Sequence, residues 1–175
     1  AFHMGGDEIK RIYRKGRGDK KNIIKDFRKK NVSEVDEIKR SSYENFKSHI
    51  NRMNDQEFQE FSTLVLKSCG YFIQSESERK RDGGIDIIAS EDQAGNKFPL
   101  LKVQVKHWKK NKAGIDLVRQ LSGVVNYPYS TGMFISSGGF TDDAVYETNI
   151  THEKVSLINL EKLYNLWISN YSKLP

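Results

Sequence analysis

An α/β fold, a mixed sheet flanked by helices, is what the sequence predicts, and three observations predict it. Past residue 113 the pattern alternates helix, strand, helix, strand, helix, an order that favours parallel strands joined by crossovers. Ahead of that half, two apolar runs near 85–89 and 100–107 are linked by the turn-rich "SEDQAGNK", which suits a hairpin. At 175 residues the chain is long enough to bury one real core, with room for an appended arm.

The elements follow in order. The opening "AFHMGG" (1–6) carries no charged or apolar leader region and reads as a remnant of a cloning vector, so it is set aside. Residues 7–53 form a basic arm, helical or partly mobile, with "KGRGDKKN" as its break. Its stretch from Ser33 to about His49 has helical composition, and "SEVDE" offers a Ser cap followed by early acids. The core domain is expected over 54–175.

That domain starts with "NDQEFQEFSTLVLKSCGY", a helix with Asn54 as cap residue and a stripe of Phe58, Phe61, Leu64, Val65 and Cys69. Gly70 ends it as a natural C-terminal cap. A short strand at Tyr71–Gln74 and the charged loop "SESERKRD" lead to the hairpin. "GIDLVRQLSGVV" reads as a helix with Ile115, Val118, Leu121 and Val125 inward. "GMFISS" is a buried strand, "GGFTDDAVYETN" a loop and helix, "VSLINL" a strand, and "LEKLYNLWISNY" a closing amphipathic helix.

Composition narrows the function classes. No apolar run is long enough to span a bilayer, so a membrane role is not expected. The one cysteine, Cys69, cannot form an internal disulfide or a thiolate zinc site, which fits a reducing cytoplasm, and it reads as a buried structural thiol. His49, His107 and His152 show no ligand spacing for zinc. The net charge is +6, and from Asp7 to Arg40 there are 13 Lys or Arg against 7 Asp or Glu. A basic arm of this kind is a footprint for a polyanion, most often nucleic acid; a solvated helical face is the plainer alternative.

The hairpin carries polar residues that a plain core strand does not need. Side chains alternate faces along a strand, so Lys102, Gln104 and Lys106 share one face while Leu101, Val103 and Val105 pack on the other. Asp86 lies between Ile85 and Ile87, after Gly83 and Gly84, and can stand beside Gln104 and Lys106 if the strands pair. One reading is a solvated sheet face with an Asp–Lys ion pair. It explains poorly the paired glycines and an Asp, a weak strand former, inside "IDII". The other reading is a metal site for phosphodiester hydrolysis. A carboxylate and an amide oxygen are hard ligands suited to magnesium, and a neighbouring Lys can serve as a base or steady developing charge.

"RDGGIDIIA" followed by "VQVKHW" resembles the catalytic core of the Mrr-like restriction endonucleases, within the PD-(D/E)xK nuclease superfamily. The matching elements are "EFQEF…CGY" (57–71), "DGGID" (82–86), "QVK" (104–106), "DLVRQLSGVV", "TGMFISSGGFTDDA" and "VSLINLEKL", which together cover roughly 54–168. The resemblance implies a restriction-endonuclease-like mixed sheet. It also implies Asp86 and Gln104 as metal ligands, with Gln104 in a place that is Glu in most of the superfamily, and Lys106 as the catalytic lysine. The family's helix glutamate falls on Gln59 here. Glu60 is the first substitute as catalytic acid and metal ligand, and Glu57 the second.

The following strand end, "KHWKKNK", suits phosphate contact and stacking, so Lys102, His107, Trp108, Lys109 and Lys110 are expected to face nucleic acid. "SGGF" (137–140) is read as a turn capped by Thr141 and not as a phosphate loop, because two acids follow in the first helical turn. The expected function is magnesium-dependent cleavage of DNA in restriction or defence, with manganese as a substitute metal, by a homodimer or a part of a larger restriction assembly. The alternatives are a catalytically weak or inactive DNA-binding module of the same fold, and a nuclease acting on RNA or branched DNA.

Overall fold

The computed structural model describes residues 34–76, 84–150 (the side chain of residue 150 excepted) and 155–173. The chain divides into two compact units, Ala1–Asn45 and Phe46–Pro175. The described part of the first is the solvent-exposed start of helix α1 (34–50); the rest of the expected basic arm lies outside the described residues.

The second unit begins earlier than the capped helix at Asn54. Phe46 and Ile50, on the last turns of α1, are 7% and 1% exposed. Phe46 sits among Phe61, Tyr164 and Trp167, with ring centroids 5.8, 5.1 and 5.3 Å away. The basic composition around them hides two core residues.

Helix α2 (Asp55–Ser68) starts at a capping box. The Asn54 side chain accepts from the Glu57 N–H at 2.9 Å, and the Glu57 carboxylate accepts from the Asn54 N–H at 2.8 Å. It ends where Gly70 takes φ +95°, with Gly70 N–H on the Lys67 carbonyl and Tyr71 N–H on the Leu66 carbonyl, a Schellman closure. The expected stripe is partly rotated: Phe58 and Val65 are buried, but Leu64 is 40% exposed. Small Ser62, Thr63 and Ser68 take the inner face with them, where the helix runs close against its neighbours.

The remaining elements are β1 (Phe72–Glu76), β2 (Ile87–Ser90), β3 (Leu100–Lys106), α3 (Ile115–Val124), β4 (Ser130–Ser136), α4 (Asp142–Ile150), β5 (Val155–Asn159) and α5 (Leu160–Ser169). The five strands form one mixed sheet in the order β1-β2-β3-β4-β5. β1–β2 and β2–β3 are antiparallel, while β3–β4 and β4–β5 are parallel, so the sheet has the expected two characters. β3 is the seam between them.

The hairpin turn before β3 is held by Asp92, whose carboxylate accepts the N–H groups of Asn96 and Lys97 at 3.0 and 2.8 Å. Those bonds, Lys97 first, hold its carboxyl below the usual range.

Register sorts the two faces of the sheet. Gln104 pairs with Phe134, and Phe134 with Leu157, so these share the face covered by α3 and α4, with Val118, Leu121, Phe140 and Ala144 in the core there. Val103 and Val105 point to the other face, toward α2 and α5. Among the described residues no helix is long and apolar enough to cross a membrane.

Candidate functional site

The site is built where β2 and β3 part company. Asp86 lies just outside β2, and its backbone N–H still reaches the Val103 carbonyl at 2.8 Å. Val105 N–H then bonds the Asp86 carboxylate, Oδ2, at 2.7 Å. A side-chain acceptor has replaced the backbone acceptor of a continued ladder. This explains the Asp inside "IDII": it closes the strand pair and fixes its own carboxyl against β3.

Gln104 is 2% exposed, and among the described residues its Oε1 has no hydrogen-bond partner. A buried acceptor left unmatched costs on the order of 1–3 kcal/mol, so native chains retain one rarely. Gly84 shapes the approach: at φ +86° its backbone lies so close that an added β-carbon would stand 2.7 Å from Gln104 Nε2. Only glycine meets both demands. Gly83 and Asp82, the other motif residues, lie outside the described residues.

Lys106 ends β3, half-buried, on the same face as Gln104. Its register partner is Ser136 on β4, which in turn pairs with Asn159 on β5. A polar row, Lys106–Ser136–Asn159, therefore borders the apolar row Phe134–Leu157 at the carboxyl end of the parallel strands. Ligands bind α/β sheets at this end.

The structure joins Asp86 and Gln104 to one strand end beside Lys106, and it leaves the helix acids elsewhere. Glu57 closes the capping box. Glu60 is exposed, on the α2 face that also shows Gln56 and Leu64, and accepts from Gln56 Nε2 at 3.0 Å. Gln59 is half-buried. Among the described residues no three His, Cys, Asp or Glu side chains converge to hold a metal.

The expected nucleic-acid rim also narrows. His107 is 8% exposed: its ring stacks on Phe58 with centroids 4.7 Å apart, and its two nitrogens lie 2.9 Å from Ser137 Oγ and 3.0 Å from the Met53 carbonyl. It is a clamp between β3, α2 and the turn after β4, with both ring nitrogens engaged within the protein. Lys102 is turned inward, its Nζ donating to the Val124 carbonyl at the end of α3 at 2.7 Å. Trp108 is half-buried against the α3–α4 core. Lys109 and Lys110 remain exposed beyond the strand end. Beside them a cleft of about 530 Å³ opens between the start of α2 and residues 107–111.

Thr141 accepts from Ala144 N–H at 3.3 Å, so "SGGF" leads into a capped helix, as its acids suggest. Gly138 is held there by space: a β-carbon would collide with the Asn111 and Trp108 carbonyls. Cys69 is half-buried, and burial raises its thiol above the ordinary value. Sequence reasoning passed over the serine doublet 136–137; its signal was two hydroxyls closing an apolar strand just before a glycine turn.

Comparison with known proteins identifies the family and the fold. The family model Mrr_cat, "Restriction endonuclease", matches residues 50–167. The fold is similar to that of the MspJI restriction endonuclease solved with a 27-mer oligonucleotide, at 15% identity and TM-score 0.59, over 77% of this chain and 32% of that one. It is also similar to AspBHI, a DNA modification-dependent restriction endonuclease, at 15% identity and TM-score 0.53, over 75% of this chain and 37% of that one. The chain thus spans about a third of the length of these two proteins. A search of curated proteins gave no match.

Proposed function

The chain belongs to the Mrr-type restriction endonuclease family, and from that membership we propose that it is the cutting domain of a metal-dependent DNA endonuclease in restriction or defence. The observation that carries the reading is the buried, unmatched Gln104 Oε1 beside the tethered Asp86 carboxylate, on the face that bears Lys106. A plain solvated sheet face has no use for an amide oxygen buried away from solvent with no donor among the described residues. AspBHI, by its description, acts on DNA, which supports DNA as the substrate class.

The donors fit magnesium, with manganese as a substitute. Asp86 and Gln104 present hard oxygens, and magnesium is commonly held by one or two protein groups plus water and phosphate. Bound there, the cation would supply charge neutralisation at the phosphate and lower the barrier to attack by water. The chain's own residues do the rest. Asp86 is immobilised by Val105 N–H, and Gln104 is fixed by burial under Gly84. Lys106 offers its amine to the phosphate oxygens or to the attacking water, and Lys109 and Lys110 hold the flanking backbone. Glu60 reaches the site only by leaving Gln56 and the solvent face. Two such domains, paired with each other or set in a larger cytoplasmic assembly, would cut both strands of a duplex.

The exposed Glu60 and the capping role of Glu57 favour a second reading, a DNA-binding module of weak turnover. Plasmid cleavage with magnesium separates the two. Wild type is expected to cut, while Asp86→Ala and Lys106→Ala do not. Equal residual cutting by all three would overturn the catalytic assignment, and DNA binding without cutting under several divalent ions would establish the second reading.

A further inference from the structure

Ser136 is fully buried, at 0% exposure, yet among the described residues its hydroxyl oxygen has no hydrogen-bond partner. The neighbouring Ser137 differs in every respect that matters. Its Oγ lies 2.9 Å from His107 Nδ1 and 3.3 Å from the Trp108 carbonyl, so it is satisfied within the chain. Of these two successive serines, one ends β4 and the other opens the turn after it, and only the one on the face of the site is left unmatched among the described residues.

Its position is specific. Ser136 stands directly across the parallel ladder from Lys106, so the two side chains leave the sheet on the same face from adjacent strands. The carriers are tied together at that level: Ser137 N–H donates to the Lys106 carbonyl at 3.1 Å, and Gly139 N–H to the Ser136 carbonyl at 3.3 Å. Among the described residues the Lys106 amine has no hydrogen-bond or ion-pair partner. An ammonium has three donors and no acceptor; a hydroxyl can accept. A donor group without an acceptor thus sits beside an acceptor without a donor.

We propose that Ser136 is the positioning residue for the Lys106 amine, its hydroxyl accepting one ammonium N–H and aiming the remaining donors at the scissile phosphate. The proposal rests on the nuclease reading above. A free lysine amine sweeps a wide arc on four methylene groups, and one fixed acceptor at its base restricts that arc once the phosphate is bound. Neither the motif around Asp86 nor the Q-x-K segment contains this residue; it comes from the next strand. It is a positioning and not a catalytic residue, because it acts on the phosphate only through Lys106.

The test is single-turnover cleavage of a DNA duplex with magnesium by wild type, Ser136→Ala and Ser136→Thr, alongside DNA affinity in EDTA and thermal midpoints. A hydrogen bond to a charged group sets the scale, so Ser136→Ala is expected to slow cleavage about 10- to 100-fold. Its DNA affinity and thermal midpoint should match wild type, since the lost hydroxyl has no partner in the free protein. Ser136→Thr, which restores the hydroxyl, should recover part of the rate.

A wild-type rate in Ser136→Ala overturns the proposal and leaves the nuclease reading standing. A lowered midpoint in Ser136→Ala, or Thr no better than Ala at an unchanged midpoint, also overturns it, because the serine would then act by packing. Absence of Asp86-dependent cutting in wild type removes the nuclease reading and this proposal together.

Discussion

Two glycines with nearly the same backbone offer a controlled experiment on the site. Gly70 has φ +95° and an added β-carbon would meet nothing within 4 Å; Gly84 has φ +86° and its β-carbon would meet Gln104 Nε2 at 2.7 Å. Alanine at either position pays the left-handed backbone cost, about 1–2 kcal/mol. For a chain of this size that corresponds to a midpoint lower by about 3–6 °C. Only Gly84→Ala also pushes on Gln104. Ordinary contact begins near 3.4 Å, so the amide must retreat by several tenths of an ångström inside a site where it is 2% exposed. Displacements approaching 1 Å cost on the order of 100-fold in rate. The expected result is therefore similar thermal losses in both variants, with cleavage lost only in Gly84→Ala. Plasmid cleavage and thermal unfolding read the two quantities separately. If Gly84→Ala cuts at the wild-type rate, or Gly70→Ala loses as much activity, the link from glycine to amide to catalysis is refuted.

Other consequences can be measured directly. His107→Ala removes the Phe58 stack and both ring hydrogen bonds, and should cost about 3 kcal/mol in urea unfolding; DNA affinity at matched folding should be unchanged, since the ring is enclosed. Neutralising Lys109 or Lys110 should each lower the slope of log affinity against log salt by about 0.9, whereas Lys102→Gln, whose amine is committed to the Val124 carbonyl, should leave that slope unchanged. The raised Cys69 thiol predicts slower alkylation at pH 8 than a free cysteine shows. Its linkage has one sign: the folded chain holds the proton more tightly, so the contribution is complete below the unfolded thiol's value and fades as pH climbs through the folded one. Wild type should therefore lose stability relative to Cys69→Ser only at alkaline pH.

Much of this architecture was legible because local patterns and long-range packing agree. Alternation in "LLKVQVK" assigned the two faces of β3 correctly, since one face had to be apolar wherever α2 and α5 cover it. The glycine after Cys69 and the Asn54 cap bounded α2 because termini answer to nearby backbone groups alone. Where agreement fails, reading failed too. Phe46 and Ile50 are core residues inside a basic stretch, and only the tertiary neighbours Tyr164 and Trp167 reveal it. Leu64 looked buried by spacing, but the inner face is set by what α2 packs on. In the candidate site, Asp86, Gln104 and Lys106 were singled out by residue type, and the strand pairing sets them close together. Lys102 and His107 carry equally suggestive chemistry, yet one caps a helix and the other clamps three elements. No periodicity distinguishes a lysine aimed at solvent from one aimed at a carbonyl. Ser136 depends on register with a distant strand, which composition does not encode.

The seam position of β3 has a kinetic corollary. Its antiparallel partner is joined to it by a short, Asp92-stapled turn, whereas its parallel partner returns only after α3 and a crossover. Contacts closed by short loops form first, because closure entropy grows with the length of chain enclosed. The Asp86–Gln104 pair is therefore brought together early in folding, by the hairpin. Ser136 is delivered later, with the half of the sheet that waits for helical crossovers. A nascent chain would hold the acid and the amide well before Ser136 comes to stand beside Lys106, and so would complete the proposed site only on reaching the finished fold.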